Sequence, residues 1–281
     1  PSTGISAPEP RSSIPSLLES VAASGLPLAV HAEDPNEFQN EPPAHDLPSW
    51  DRARPPAAET AGLNELLPAP PALRLHIAHV SLGASIERLR REGHSFEATP
   101  HHLLLSGDRG SDTRRKTNPP LRSEALRAEL WERFREGGVP CLASDHAPHA
   151  IDQKQREFAE APSGAPGVET MLPLLLAKVR SSELSLPILI AAASERPARW
   201  LGLPHGRLAA GHRGNLLVVD FRKTETLTAD RLHAPCGWTA FEGFPAVFPQ
   251  EHYHAGQRIV EGGEFVGSLN GVVRRPEYAP R

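Results

Sequence analysis

Long apolar runs are absent from this 281-residue sequence. None approaches the ~20 residues that a membrane-spanning helix needs, so the chain reads as soluble, with no membrane partner. Cysteine is scarce as well. Cys141 and Cys236 lie far apart and form no CxxC pair, which argues against a disulfide scaffold and for a reduced, cytoplasmic compartment. Neither sign of charge is in excess: 30 Lys+Arg against 34 Asp+Glu give a net charge of −4, and nothing points to a nucleic-acid partner. Methionine occurs once, at Met171, and residue 1 is Pro. No charged segment followed by an apolar core suggests a signal peptide. The expectation is therefore that an N-terminal part of the protein is missing from this sequence.

Proline is abundant, with 30 residues against an average usage of ~5%. The prolines are spread through loops and helix starts, as rigid connections would be. Helices and strands alternate along the chain. "RSSIPSLLESVAASG" carries Ser12 or Ser13 as N-cap, Pro15 in the first turn and Gly25 as a stop. It leads into the apolar run Leu26 to Val30, which ends at His31. Residues 35–56 read as a long surface loop and "AAETAGLNELL" as a helix. "LRLHIAHVS" reads as a strand ending near His79, followed by the helix "GASIERLRREG". "SFEATPHHLLL" is strand-like, "SEALRAELWERFREGG" is an amphipathic helix, and "VPCLASDHAPH" is an apolar run that stops at Asp145. Strands separated by helices of this length imply parallel βαβ units. From about residue 206 short strands with Gly turns replace the helices. The predicted division is thus an α/β unit over 1–205 and a small β-rich appendage over 206–281.

Ligands of parallel α/β folds gather at the C-terminal ends of the strands. Three of the four visible strands end in a metal-binding residue type: His31, His79 and Asp145. One strand-end histidine is equally well explained as a buried, hydrogen-bonded side chain; the recurrence at equivalent places is what points to a metal. Two imidazoles and a carboxylate suit a hydrolytic Zn²⁺ with an open position for water, and Co²⁺ or Mn²⁺ fits the same donors.

The motifs "HAED", "HIAHVS", "EATPHHLLLS", "KTNPPLR", "SDHAPH", "APSGAPGVETMLPLLL", "GHRGNLLVVD" and "CGWTAFEG" occur in this order, and together they resemble dihydroorotase, a metal-dependent amidohydrolase. The resemblance spans essentially the whole chain. It implies a (β/α)₈ TIM barrel of the amidohydrolase type, with strands five to eight present here, and zinc-dependent interconversion of dihydroorotate and N-carbamoyl-aspartate in pyrimidine biosynthesis. It further implies that His31 and His79 hold one metal of a binuclear Zn²⁺ centre, and that Asp145 holds the other and shuttles the proton. Asn118, His149, Ser163 and Gly164 match substrate-contacting positions. The HxH pair, the Arg that follows it and the bridging Lys or Asp of the family pattern have no match in the sequence. By this resemblance the chain alone is inactive and the missing half barrel is supplied from elsewhere, since four parallel strands alone leave two open edges. Another cyclic amidohydrolase (allantoinase or hydantoinase) and a catalytically silent scaffold subunit are the alternatives. Beyond the small-molecule substrate, the expected partners are a second copy of the chain or another pyrimidine-pathway enzyme.

Four further features are singled out. "HYH" at 252–254 reads as an exposed strand or turn. His101 and His102 read as ordering a loop or supporting a ligand. His76 should face the outer helices, three residues from His79. Glu33 and Asp34 read as turn residues, or as support for a ligand.

Overall fold

The computed structural model describes residues 13–39 and 42–268. Helix α1 (Ile14–Ser24) ends at Gly25, whose φ of 70° closes the last turn, and hands the chain to strand β1 (Pro27–Val30). Ser13 precedes α1 without a side-chain capping bond to it, and Ser12 lies outside the described residues. Then follow α2 (Leu47–Ala53), α3 (Pro56–Leu66), β2 (Arg74–Ile77), α4 (Gly83–Glu92), β3 (Ser95–Ala98), α5 (Pro100–Leu104), α6 (Glu124–Arg135) and β4 (Cys141–Leu142). Helices α7 (Ile151–Lys154), α8 (Met171–Arg180), α9 (Leu186–Ile190) and α10 (Arg196–Trp200) complete this part, the last two joined by a π-helical turn at Ala191–Glu195.

The four strands form one parallel sheet in the order β1-β2-β3-β4. Helices cover it with Leu63, Ile86, Leu89, Leu130, Phe134 and Leu175, which pack on Leu75, Ile77 and Phe96 in a single core. Parallel strands put their C-terminal ends on one edge, which brings His31, His79 and Asp145 to the same side of the sheet.

Two stretches differ from the expectation drawn from sequence. The loop predicted over 35–56 contains α2. Asp46 caps it by accepting from Ser49 N, and the Ser49 hydroxyl accepts in return from Asp46 N, a reciprocal pair that a Pro-rich, polar stretch conceals. "SFEATPHHLLL" is a strand only to Ala98. Pro100 then opens α5, capped by Thr99, because proline is favoured in the first turn of a helix and disfavoured inside a sheet.

Beyond α10 lie β5 (Leu216–Val218), β6 (Glu225–Thr226), β7 (Pro245–Ala246), β8 (Glu251–His254), β9 (Gln257–Glu261) and β10 (Glu264–Phe265). They form an antiparallel sheet ordered β10-β9-β8-β5 and a β6-β7 ribbon. The "HYH" triplet sits in β8, paired with β5 and β9. Between β6 and β8, Leu227, Trp238, Phe241, Ala246 and Phe248 share a second core with Leu105, Leu121, Ala165 and Leu174. This tail therefore packs over the loops at the strand ends.

Candidate active site

The ladder runs past β1 and β2: Ala78 N donates to Val30 O at 2.9 Å, and Val80 N to Glu97 O at 2.8 Å. Between those bonds His79 takes φ 36°, a left-handed conformation that costs most residues on the order of 1–3 kcal/mol. The kink brings His79 Nε2 to 3.0 Å from His31 Nδ1, with the rings edge-on at 4.7 Å. Asp145 has φ 45° three residues past β4, and His and Asp are among the residue types that tolerate this region best. Strain at both positions marks this edge of the sheet as the working one.

His31 is held from behind. Its Nε2 lies 2.9 Å from Glu33 Oε2, and Arg54 bonds the same oxygen. Burial pushes the Glu33 carboxyl up, but the His31 hydrogen bond and the Arg54 guanidinium outweigh it and hold the group below the usual carboxylate range. An ionised carboxylate only accepts, so Nε2 of His31 carries the proton and Nδ1 presents its lone pair toward His79. Asp34 accepts from Asn36 N at 2.9 Å and caps the next turn. The two acidic residues thus divide the roles weighed for them.

Burial, reinforced by His31, pushes His79 down to about 4, so it is neutral at ordinary pH. Asp145 is raised, first by burial and then by Glu97, against the opposing pull of His31. Its Oδ2 lies 3.8 Å from Nε2 of His101, which burial pushes down to about 3. His102 orders the neighbouring loop, contacting Thr99 Oγ1 at 2.8 Å and Pro119 O at 3.0 Å. His76 turns away to Ser95, Glu97 and the Trp200 ring.

The predicted substrate positions form a second group. His149 Nε2 donates to Ser163 O at 2.9 Å, and Gly164 N donates to Lys116 O at 2.8 Å, two residues before Asn118. Asn118 Oδ1 is buried without a hydrogen-bond partner, an acceptor left open. Gly164 has φ 131°, and a Cβ there would stand 2.7 Å from Ala147 O and 3.1 Å from His149 Nε2. Gly164→Ala is therefore expected to displace His149 and the loop, lowering stability by about 1–3 kcal/mol. Thermal melts of the variant check the effect.

No family model matches the chain. Among curated proteins it is similar to the dihydroorotase of Halobacterium salinarum, at 37% identity over 247 residues, covering 86% of this chain and 58% of that protein. It is similar to the dihydroorotase of Methanosarcina acetivorans as well, at 35% identity over 264 residues, covering 86% of this chain and 56% of that one. Among solved structures, an L-hydantoinase (dihydropyrimidinase) from Arthrobacter aurescens superposes with a TM-score of 0.86 at 25% identity, over 94% of this chain and 64% of the hydantoinase. The chain is a relative of the dihydroorotases. It spans a little over half the length of the curated dihydroorotases it matches, and its four parallel strands with their covering helices correspond to half of an amidohydrolase TIM barrel.

The dihydroorotase-like motifs supply a fit for a divalent metal between His31 and His79. Two imidazole nitrogens each ~2.0–2.1 Å from one tetrahedral ion stand about 3.3 Å apart, close to the 3.0 Å observed. Asp145 is set apart against His101, and among the described residues no three His, Cys, Asp or Glu side chains converge on one point. The sequence reading missed Arg54, Arg122, Lys116 and Lys154. Lys116 and Arg122 bound the motif "KTNPPLR" and Arg54 and Lys154 lie in charged stretches, and no spacing marks any of the four as buried.

Proposed function

We propose that the whole protein is a dihydroorotase, which reversibly hydrolyses the cyclic amide of dihydroorotate to N-carbamoyl-aspartate. The observation that carries this reading is the facing pair His31 Nδ1 and His79 Nε2 at 3.0 Å, at the same sheet edge as Asp145, in a chain 37% identical to a dihydroorotase. His31 and His79 would hold one Zn²⁺ of a binuclear centre, and Asp145 would contribute to the other. The HxH pair and the bridging residue of the family pattern, which would complete the centre, have no match in this sequence. When bound, the metals supply a polarised carbonyl and an acidified water. Asp145 takes a proton from the attacking water at its carboxylate and returns it to the departing ring nitrogen. Asn118 Oδ1, open and buried, accepts from a ring N–H. His149, whose Nε2 is committed to Ser163 O, fixes the loop that carries the Ser163–Gly164 backbone against the ring.

A cytoplasmic protein organised as 1–205 and 206–281, acting as a homodimer or beside another enzyme of the same pathway, completes the proposal. Assays of the full-length protein in both directions, with hydantoin and allantoin as competitors and with a chelator, test it. Turnover of dihydroorotate that the chelator abolishes is expected. Preference for hydantoin or allantoin overturns the substrate assignment, and absence of both turnover and bound metal would point to a silent scaffold.

Glu33 has a separate consequence for this centre. Glu33→Gln removes the charge that fixes the His31 tautomer and is expected to lower metal affinity about 10–100-fold. Competition with a chromophoric chelator measures it.

A further inference from the structure

Lysine is rarely buried without a carboxylate beside it, yet two lysines here are almost wholly buried, Lys154 at 1% and Lys116 at 3% exposure. Their ammonium groups are met chiefly by backbone carbonyls. Lys116 Nζ donates to Phe158 O at 2.7 Å and Ala161 O at 2.8 Å, with Ala159 O at 3.4 Å. Lys154 Nζ donates to Pro162 O at 2.8 Å and Gly164 O at 3.1 Å. Aromatic faces complete the cages: Trp50 and Phe158 at 4.6 and 5.0 Å from Lys116, and Trp238 at 5.5 Å from Lys154. Burial pushes both ammonium groups down to about 8; on Lys154 the charge of Lys116 adds to the effect and Asp112, which makes no bond to it, opposes it.

All the acceptors belong to one segment, residues 158–164. Ser163 O is taken by His149 and Ala165 O by Ala147 N, so every carbonyl from Ala161 to Ala165 is turned into the protein. Both polar backbone groups of Gly164 are tied to the lysine-bearing segments, its N–H to Lys116 O and its carbonyl to Lys154 Nζ. Lys154 itself is anchored, for Thr113 donates to its carbonyl; five residues earlier, Trp238 donates to His149 O at 2.8 Å. Two desolvated cations spent on one loop far exceed what a passive connection needs, because the desolvation must be offset by several charge-assisted hydrogen bonds.

We propose that Lys116 and Lys154 are positioning residues, a two-ammonium clamp that holds residues 158–164 in the shape that presents Ser163 and Gly164 to the ring substrate. The assignment of that substrate loop rests on the dihydroorotase reading; the clamp itself rests on the bonds above. Its role is to keep the loop ordered before substrate arrives, so that binding does not have to order it.

Lys116→Met and Lys154→Met in the full-length protein test this. The expected result is a KM for dihydroorotate raised about tenfold, as loss of charge-assisted hydrogen bonds implies, with kcat changed by less than about threefold. Amide hydrogen exchange over 158–167 should accelerate about tenfold while the amides of β2 and β3 keep their protection. Unchanged exchange over 158–167 in a folded variant overturns the clamp, as does a fall in kcat at constant KM. If a variant does not fold, the milder Lys116→Arg and Lys154→Arg variants decide: faster exchange over 158–167 supports the clamp, and unchanged exchange in a folded variant overturns it. If the protein does not turn over dihydroorotate, the function fails while the exchange measurement still judges the clamp.

Discussion

Asp145→Asn is expected to lower the turnover of the full-length protein by about two to four orders of magnitude, the usual contribution of a positioned proton carrier. Asparagine matches aspartate in size and tolerates the left-handed backbone that Asp145 adopts at φ 45°, so the variant should keep its fold. Its amide cannot take a proton from water, and it offers a metal a weaker ligand. Circular dichroism and melting should be close to those of the unaltered protein, since Asp145 makes only a 3.8 Å approach to His101. Ring opening and ring closure should fall together, because in the proposed reaction one carboxyl carries the proton in both directions. Undiminished turnover would remove Asp145 from the reaction.

The second large effect is on stability. Arg122 is the largest of the fully buried side chains, at 2% exposure. It donates to Ser81 Oγ at 3.0 Å, Asp51 Oδ1 at 2.7 Å and Arg54 O at 2.6 Å, and its remaining nitrogen lies 3.9 Å from Glu33. Ser81 in turn donates to Glu59, a wholly buried carboxyl that burial raises. One guanidinium therefore braces the segment after His79, helix α2 and the carboxylate behind His31. Arg122→Met leaves Asp51 and Glu33 without that cation, and breaking a buried pair from one side costs about 3–5 kcal/mol. For a chain of this size the melting temperature should fall by about 10 °C. Arg222→Met is the contrast: its pair with Asp220 is on the surface, and no measurable shift is expected. Calorimetry of the two variants separates the cases, and equal small shifts would refute the bracing role.

Much of this protein was legible in order of sequence. Helix α4 followed from Ile86 and Leu89 on one face with Gly93 as its stop, and β2 followed from the apolar run that ends at His79. The strand-end placement of His31, His79 and Asp145 needed only the βα alternation. The helix α2 was hidden because its signal is the reciprocal Asp46–Ser49 bond rather than an apolar stripe. The turn from β3 into α5 was hidden because "TPHHLLL" reads as apolar in either state. The sequence left Glu33 and Asp34 open between turn residues and support for a ligand, and only the fold separated them; Arg54, Arg122, Lys116 and Lys154 gave no signal, since their partners lie 21 to 71 residues away or are backbone carbonyls.

Sequence alone determined the parallel α/β architecture and the residue types at its strand ends, because those depend on local periodicity and on which residues sit next to one another. Tertiary structure decided which of those residues meet. The left-handed turn at His79 brings two imidazoles to a common point. Buried guanidinium and ammonium groups brace the segments around them, and their burial exists only once distant segments have closed over the charge and supplied its hydrogen bonds.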